Sequence, residues 1–404
     1  MSKEKALQPA LRFNSFEGDW EEKTIKSSCS EFRSGRFLRA HDIKEIGLYP
    51  VYGGNGLRGY YDHFSHDGTY ALIGRQGALC GNMNLSFGKA YFTEHAIAVQ
   101  ANQSSDTLFL YHKLKLMDLG QYSGQSAQPG LAVNKLLGLS TFSPKKEEQT
   151  QIGTFFQNID QQLKLHQSKH TKLQQLKKAM LGKMFPKAGA KVPEVRFAGF
   201  SGDWEAKVFK DSFNYIANNS LSRAQLNDKS GLAMNVHYGD VLIKFDEVLD
   251  VFETNIPYIS NEALVNNLMP NCLQDGDIVI ADAAEDTSVG KCTEIYNLGE
   301  QLLFAGLHTI AIRPLTPFAP KYLGYFLNSN LYHDQLIPIM QGTKVLSISK
   351  SSIKETLIYY PNDLAEQTKI GNYFHNLDRL IALQQQHINK LKNIKQACLK
   401  KMFV

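Results

Sequence analysis

The chain has 404 residues, which suits two or three domains better than one, and its net charge of +5 is too mild to indicate a partner. Hydrophobic residues make up 43% and charged residues 21%, as in ordinary globular proteins, and no apolar run approaches the roughly 18 residues of a membrane-spanning helix. Residues 1–8 are polar and lack the apolar run of a signal peptide. Five scattered cysteines without a CxxC pair argue against a disulfide framework, so we expect a cytoplasmic protein.

The first region, residues 9–147, is rich in glycine, aromatic and β-branched residues. Residues 70–74 and 96–99 are predicted to be short strands. Three glycine-bounded polar loops accompany them, at residues 49–61, 74–77 and 124–130. Arginine matches the acceptors of guanine, and asparagine or glutamine matches adenine, so these loops are candidates for reading bases; the alternative is that the amides close turns and the tyrosines are core. The DNA-binding candidates here are Tyr52, Asn55, Arg58, Tyr60, Arg75, Gln76, Gln125, Ser126, Gln128 and Lys135.

A long helix is predicted for residues 148–185. Its apolar residues recur in alternating steps of four and three, which is the heptad pattern of a coiled-coil seam. Ser143 and Pro144 predict an N-cap and a first turn at its start. About 33 helical residues at 1.5 Å each give a rod of roughly 50 Å. The polar segment 186–195 then has the composition of a linker.

The second region, residues 196–362, contains four segments that stand out, at residues 218–226, 237–242, 276–282 and 342–350. The last one lies where the first region has residues 125–134, so we expect a polar and basic contact loop at matching positions in both regions. The alternative for each cation is an ordinary solvated surface charge. The DNA-binding candidates of this region are Arg223, Lys244, Lys291, Thr343, Lys344, Ser347, Ser349 and Lys350.

A second long helix is predicted for residues 366–403, which align with residues 148–185 without a gap and share 18 of 38 positions. The spacing of Asp363 and Glu366 resembles a capping box at its start.

The two halves of the chain are repeats. The segments PALRFNSFEGDWEEK and PEVRFAGFSGDWEAK contain the only two tryptophans, Trp20 and Trp204, at equivalent places. A weaker echo joins His95-Ala-Ile-Ala to His308-Thr-Ile-Ala. Two copies argue against a solenoid and favour a pseudo-twofold arrangement in which the two helices pair antiparallel.

The apolar stripe of the helices is wider than one seam requires, because residues such as Leu165 and Leu383 extend it. We therefore expect partner proteins to dock on the helices; the alternative is that the helices merely join the domains. The partner-binding candidates are Ile152, Phe155, Phe156, Ile159, Leu163, Leu173, Leu176, Ile370, Phe374, Leu377, Ile381, Ile388 and Leu391.

Catalytic motifs are not recognised in the sequence. Residues 54–59 spell GxGxxG, but no helix opening a βαβ unit follows, so a nucleotide site is not expected. Glu21-Glu-Lys23 and Glu205-Ala-Lys207 resemble the end of a nuclease motif without its Pro-Asp pair, and their equivalence in the repeat indicates a shared structural start. The histidines show no metal-ligand spacing. We assign no catalytic residue and no metal ligand.

Charge is distributed unevenly along the chain. Residues 9–147 carry a net charge of +2, residues 148–185 of +4, residues 193–365 of −9 and residues 366–403 of +5. Simple DNA-binding proteins have a basic surface, which the second region lacks. Either a partner supplies many of the phosphate contacts, or this region has a small basic face.

The duplicated EQxxIGxxFxNxD…KMF helices and the RFxxFxGDW starts resemble the DNA-specificity subunit of Type I restriction-modification enzymes, over essentially the whole chain. The resemblance implies a mixed α/β (α+β) fold with two globular target-recognition domains and two long antiparallel coiled-coil helices in a pseudo-twofold arrangement. The predicted boundaries are residues 1–147 and 187–362 for the recognition domains and residues 148–186 and 363–404 for the helices.

The resemblance further implies a non-catalytic subunit that reads an asymmetric, bipartite site in double-stranded DNA. Two modification subunits would methylate adenine N6 with S-adenosylmethionine after flipping the base, and restriction subunits would cleave DNA with ATP and Mg. No cofactor is expected in this chain. Two alternatives stay open: a coiled-coil scaffold that binds only proteins, and a DNA enzyme with an unrecognised site.

Overall fold

The computed structural model describes residues 7–124 and 129–404, and the chain divides into two compact units. Unit 1 comprises residues 1–168 and 385–404, and unit 2 comprises residues 169–384. The predicted mixed α/β class with two domains and two long helices is confirmed. Within the described ranges, no helix is long and apolar enough to cross a membrane, and the five cysteines are free thiols.

Unit 1 is built on a six-stranded sheet with the order β2-β7-β5-β6-β3-β4, and a two-stranded sheet pairs β1 with β8. The elements are β1 (Glu21–Thr24), α1 (Ile25–Ser28), β2 (Cys29–Ser34), β3 (Tyr49–Gly53), β4 (Gly56–Tyr61), β5 (His66–Gly74), β6 (Met83–Phe92), β7 (Ala96–Ala101), α2 (Thr107–Leu116), α3 (Val133–Leu137), β8 (Ser140–Ser143) and α4 (Lys146–Leu181). The two predicted strands are confirmed as parts of β5 and β7, which pair with each other.

The glycine-rich segment 49–61 was expected to be a loop, and this prediction is wrong. It forms the antiparallel hairpin β3–β4, with Gly54 and Asn55 at the turn. Gly56 has a φ of +92°, a backbone conformation that glycine adopts without strain, and so the chain can reverse direction there.

Unit 2 contains a five-stranded sheet with the order β10-β19-β15-β17-β13, a four-stranded sheet with the order β11-β14-β12-β18, and the pairs β16-β20 and β9-β21. Its strands are β9 (Glu205–Val208), β10 (Phe213–Ile216), β11 (Leu226–Asn227), β12 (Ala233–Val236), β13 (Val248–Asp250), β14 (Tyr258–Ile259), β15 (Ile278–Ala281), β16 (Ala283–Ala284), β17 (Cys292–Tyr296), β18 (Leu302–Ala305), β19 (Thr309–Pro314), β20 (Leu346–Ser347) and β21 (Leu357–Tyr360). Its helices are α5 (Tyr238–Ile243), α6 (Val265–Leu268), α7 (Tyr322–Leu327), α8 (Asn330–Leu336) and α9 (Lys350–Ile353). The long helix α10 (Leu364–Lys401) begins in unit 2 and ends in unit 1, just as α4 begins in unit 1 and ends in unit 2.

The starts of the long helices match the expected caps only in part. Ser143 ends β8, its buried hydroxyl has no hydrogen-bond partner among the described residues, and α4 begins only at Lys146. Asp363 does accept a hydrogen bond from the N–H of Ala365 at 2.8 Å. Glu366, however, turns to an arginine instead of closing a capping box.

The two long helices run antiparallel in each unit. In unit 1, Asp160 of α4 pairs with Lys395 of α10, while the rings of His166 and His387 lie 4.9 Å apart. Residue numbers therefore fall along α10 as they rise along α4. In unit 2, Lys177 of α4 pairs with Asp378 of α10 at 2.6 Å, so the helices are antiparallel there as well. The two ion pairs are equivalent in the repeat, because each couples the aspartate of one copy to the lysine of the other.

In each unit the same ion pair connects the segment that precedes the first strand to the start of a long helix. Arg12 makes a bidentate ion pair with Glu148, with distances of 2.8 and 2.7 Å, and Arg196 does the same with Glu366 at 2.7 and 2.8 Å. The GluXxxLys segments begin β1 and β9, which pair with the strands that precede α4 and α10. The two GluXxxLys segments are therefore equivalent because each begins the first strand of its unit.

Aromatic residues fill the core of each unit around its tryptophan. In unit 1, the ring of Trp20 packs edge-on against Phe109 and Phe403. In unit 2, Trp204 packs against Phe185 and Tyr322 in the same manner.

Candidate nucleic-acid interface

In unit 1, main-chain hydrogen bonds join two of the glycine-bounded loops. The N–H of Arg75, directly after β5, donates to the carbonyl oxygen of His95 at 2.9 Å, and the carbonyl oxygen of Arg75 accepts from the N–H of Leu131 at 2.9 Å. Gln76 and Gly130 form an isolated β-bridge next to this position. Both main-chain polar groups of Arg75 are thus satisfied, so its side chain projects from a fixed backbone.

A pocket of 640 Å³ opens beside this junction. It is lined by the turn of the β3–β4 hairpin and by the loop after β5, and three candidates, Asn55, Arg58 and Gln76, come together there. His95 also lines the pocket, and its Nδ1 lies 3.2 Å from Oε1 of Gln76. The pocket combines donors and acceptors with the apolar side chain of Leu57, which suits the edge of a nucleotide base.

The other candidates of unit 1 are placed elsewhere. Tyr52 is half-buried and its ring packs 6.2 Å from that of Phe92, as the core alternative expected. Tyr60, on β4, is also half-buried. Lys135 is exposed on α3, with its ammonium 3.4 Å from the carbonyl oxygen of Tyr122. Gln125, Ser126 and Gln128 lie outside the described residues.

In unit 2, an equivalent junction forms directly after β15. The N–H of Asp282 donates to the carbonyl oxygen of His308 at 3.1 Å, and the carbonyl oxygen of Asp282 accepts from the N–H of Ile348 at 2.9 Å. Ala283 and Ser347 pair next to it, in the two-stranded sheet of β16 and β20. Sequence matching paired residues 125–134 with 342–350, and the described part of the first loop, residues 129–134, forms the same kind of junction as the second.

The four segments that stood out in the second region meet around this junction. Asp282 ends the segment 276–282, Ile348 lies in 342–350, and Tyr238 of α5 places its ring 5.3 Å from that of His308. Arg223 bonds to Asp240, also on α5, at 2.8 Å. Burial lowers the pKa of His237, which caps α5, and so favours the neutral imidazole that accepts from the N–H of Gly239.

The lysines of unit 2 differ in how far they are committed to the fold. The ammonium of Lys291 donates to the carbonyl oxygens of Leu242 and Phe245, at 3.1 and 2.9 Å, and so caps the end of α5. Lys244 donates to the carbonyl oxygen of Asn255 at 2.5 Å. The ammonium of Lys291 is therefore used within the fold of unit 2.

The candidates of the last loop are exposed. Thr343 and Lys344 lie at its tip, Ser347 belongs to β20, and Ser349 caps α9 by accepting from the N–H of Ser352. Lys350 lies 5.5 Å above the ring of Tyr215.

Sequence reasoning missed His95, His308 and Asp282. The sequence showed that the two histidines are equivalent in the repeat. It could not show that the carbonyl oxygen of each histidine accepts a hydrogen bond from the residue that follows a neighbouring strand.

The partner-binding candidates differ in their exposure. Those of the seam are buried in this chain's own cores: Phe156 and Phe374 are 0% exposed, and Ile152, Ile159, Ile370, Leu377 and Ile388 are also buried, so they cannot contact a partner of the folded chain. Phe155, Leu163, Leu173, Ile381 and Leu391 are half-buried. Leu176 is the one candidate that is exposed, at 40%, and the other exposed apolar residues of the described helices α4 and α10 are Leu165, Leu364, Leu380, Leu383 and Ile394.

The structure is that of a tandem α/β protein in which both units contain a central mixed sheet and the same main-chain junction, while unit 2 adds a four-stranded sheet. The family model of the Type I restriction modification DNA specificity domain matches residues 17–175 and 203–393, and the chain belongs to this family.

Two curated relatives support the assignment. The Type I restriction enzyme EcoprrI specificity subunit of Escherichia coli is 42% identical over 154 residues, which cover 37% of this chain and 38% of that protein. The putative type I restriction enzyme MjaX specificity subunit of Methanocaldococcus jannaschii is 25% identical over 206 residues, which cover 50% and 45%. The chain spans less than half the length of these two relatives.

A crystal structure of the Type-I restriction-modification system S subunit from M. genitalium is similar in fold, with a TM-score of 0.68 and 17% sequence identity. That likeness covers 98% of this chain and 99% of the other.

Proposed function

We propose that this chain reads an asymmetric, bipartite DNA sequence for a Type I restriction-modification complex, with each unit reading one half-site. The observation that carries the proposal is the junction after β5 and β15, which has the same main-chain bonds but different side chains in the two units. A shared scaffold with unlike readers predicts a site without twofold symmetry, because the symmetry of a DNA site mirrors that of the protein.

The partners in this proposal are two modification subunits, which flip an adenine and methylate its N6 with S-adenosylmethionine, and restriction subunits that use ATP and Mg. Exposed leucines offer docking points for the modification subunits. Leu165 is 46% exposed in unit 1 and its repeat equivalent Leu383 is 43% exposed in unit 2. Equivalent apolar side chains in the two units suit the docking of two identical subunits.

Exchanging residues 9–147 for the counterpart region of another family member tests the division of labour. Methylome sequencing of cells that carry the chimera should show one new half-site and one unchanged half-site. A chimera that alters both half-sites, or an unaltered chain that directs no sequence-specific methylation in the complete complex, contradicts the proposal.

A second test concerns docking. Leu165→Asp together with Leu383→Asp should abolish co-purification with the modification subunit, because an unpaired buried carboxylate costs several kcal/mol. The same change at exposed, repeat-equivalent glutamines, Gln167→Asp with Gln385→Asp, is the matched control and should leave assembly intact. Phe156 and Phe374 are unsuitable for this test, because replacing residues with 0% exposure tests folding and not docking. Full assembly of the leucine variant contradicts this docking surface.

A further inference from the structure

We infer that Asp282 is a specificity-determining residue of the second half-site, and that its carboxylate accepts a hydrogen bond from the exocyclic N4 amino group of a cytosine. This inference rests on the proposed DNA-reading function and deepens it.

Asp282 occupies the same place in unit 2 that Arg75 occupies in unit 1. Each residue directly follows a central strand of its sheet, β15 or β5. Each donates its N–H to the carbonyl oxygen of the histidine before the neighbouring strand, His308 or His95, and each accepts from the N–H of a residue at the end of the contact loop. Four hydrogen bonds therefore fix two equivalent backbones, and only the side chains differ.

The two side chains have opposite hydrogen-bonding character. Arg75 only donates, which matches the O6 and N7 acceptors of guanine, whereas an ionised Asp282 only accepts. An acceptor on a DNA-reading surface is repelled by phosphate and needs a donor on a base edge. Adenine presents N7, an acceptor, next to its amino group, so adenine suits an amide side chain. Cytosine presents its N4 amino group as a donor, and aspartate is the matching partner.

The carboxylate is held in position but is not saturated. The side chain of Asp282 is 27% exposed, and its Oδ1 lies 3.3 Å from Nδ1 of His308, whose ring is packed against Tyr238. Within residues 7–124 and 129–404, no hydrogen bond or ion pair to Oδ2 is observed. Burial raises the pKa of Asp282, while His308 opposes that shift. One oxygen is thus oriented by histidine and the other is free to accept from a base.

This placement also addresses the acidic character of the second region. A recognition domain with a net charge of −9 between residues 193 and 365 is unusual for a DNA-binding protein. If Asp282 reads a base, this acidic residue contributes to specificity, which gives a reason for its presence in a DNA-binding domain.

The experiment uses the complete complex with its modification subunits and a duplex library randomised over the second half-site. Asp282→Asn should lower the preference for cytosine at one position by roughly tenfold or more and admit adenine there, because an asparagine side chain both donates and accepts. Glu285→Gln, which removes an exposed carboxylate three residues away, is the matched control and should leave the preference unchanged.

The first half-site serves as an internal standard for folding and assembly. It should be read unchanged by the Asp282→Asn complex. If the wild-type complex reads a bipartite site but Asp282→Asn alters no base preference, or alters one at a position other than cytosine, the inference is wrong while the proposed function stands. If the wild-type complex shows no bipartite preference, the proposed function itself fails. Loss of both half-sites in a variant with reduced melting temperature assigns Asp282 a structural role and overturns the inference.

Discussion

Replacing Arg12 with methionine should destabilise unit 1 strongly. The carboxylate of Glu148 is 2% exposed and has both oxygens bonded to the Arg12 guanidinium, at 2.8 and 2.7 Å. The same guanidinium donates to the carbonyl oxygens of Gly18 and Glu17. Removing one partner of a buried pair leaves an uncompensated charge and costs about 3–5 kcal/mol. Because the Arg12 side chain is 15% exposed, we expect the lower part of that range.

Comparing the single variant with a double variant separates the cost of an unpaired buried charge from the cost of the lost contacts. Replacing both partners, Arg12→Met with Glu148→Leu, removes the buried charge together with its partner, and such exchanges are often close to neutral. The double variant should therefore be more stable than Arg12→Met alone, by about 2 kcal/mol.

Fluorescence can report on each unit separately. Trp20 and Trp204 are the only tryptophans, and each is buried beside the ion pair of its own unit. In a Trp204→Phe background, urea unfolding followed by fluorescence therefore reports on unit 1. Arg196→Met, read from Trp204 in a Trp20→Phe background, is the matched experiment in unit 2. A loss below 1 kcal/mol for Arg12→Met, or a double variant no more stable than the single one, would refute the reasoning.

Two further predictions concern pH. Burial lowers the pKa of His112 to about 3 from 6.5, so the unfolded chain binds a proton first and unit 1 loses stability as the pH falls below 6.5. His112→Phe should flatten that dependence between pH 6.5 and 4; an unchanged slope of Trp20-detected stability contradicts it. Burial raises the pKa of Glu294 to about 7 from 4.5, so its contribution is full below 4.5 and is lost as the pH rises toward 7. Glu294→Gln should flatten the Trp204-detected stability there; if the slope persists, another group causes it.

Local sequence patterns predicted the long helices and the central strands well. The heptad spacing of α4 and α10 and the β-branched runs of β5 and β7 depend on neighbours a few residues away, which a single sequence shows. The hairpin at residues 49–61 was missed because its glycines suggest a loop. Only strand pairing reveals that these glycines allow a turn and close approaches to other backbone segments of the same chain.

The site was predictable only in part, because its geometry depends on long-range main-chain bonds. The sequence drew attention to Arg75 and Gln76, since arginine and glutamine on glycine-bounded loops suit base reading. Asp282 lies in the segment 276–282, which stood out, but it was not chosen as a candidate because its relation to His308 and Ile348 appears only once the strands are paired. The seam phenylalanines were assigned to partners because periodicity marks an apolar face but does not say which surface covers it.

The division of the chain between the units has a consequence for biosynthesis. Unit 2 is one continuous run, residues 169–384, whereas the core of unit 1 includes Met402 beside Trp20 and Phe156. During translation, the second recognition domain can therefore complete its core while the first still lacks residues from its last helix. Until those residues leave the ribosome, the first unit exposes the apolar surface that they will cover, and such surface is prone to aggregate. The half that is made first is thus the half that matures last.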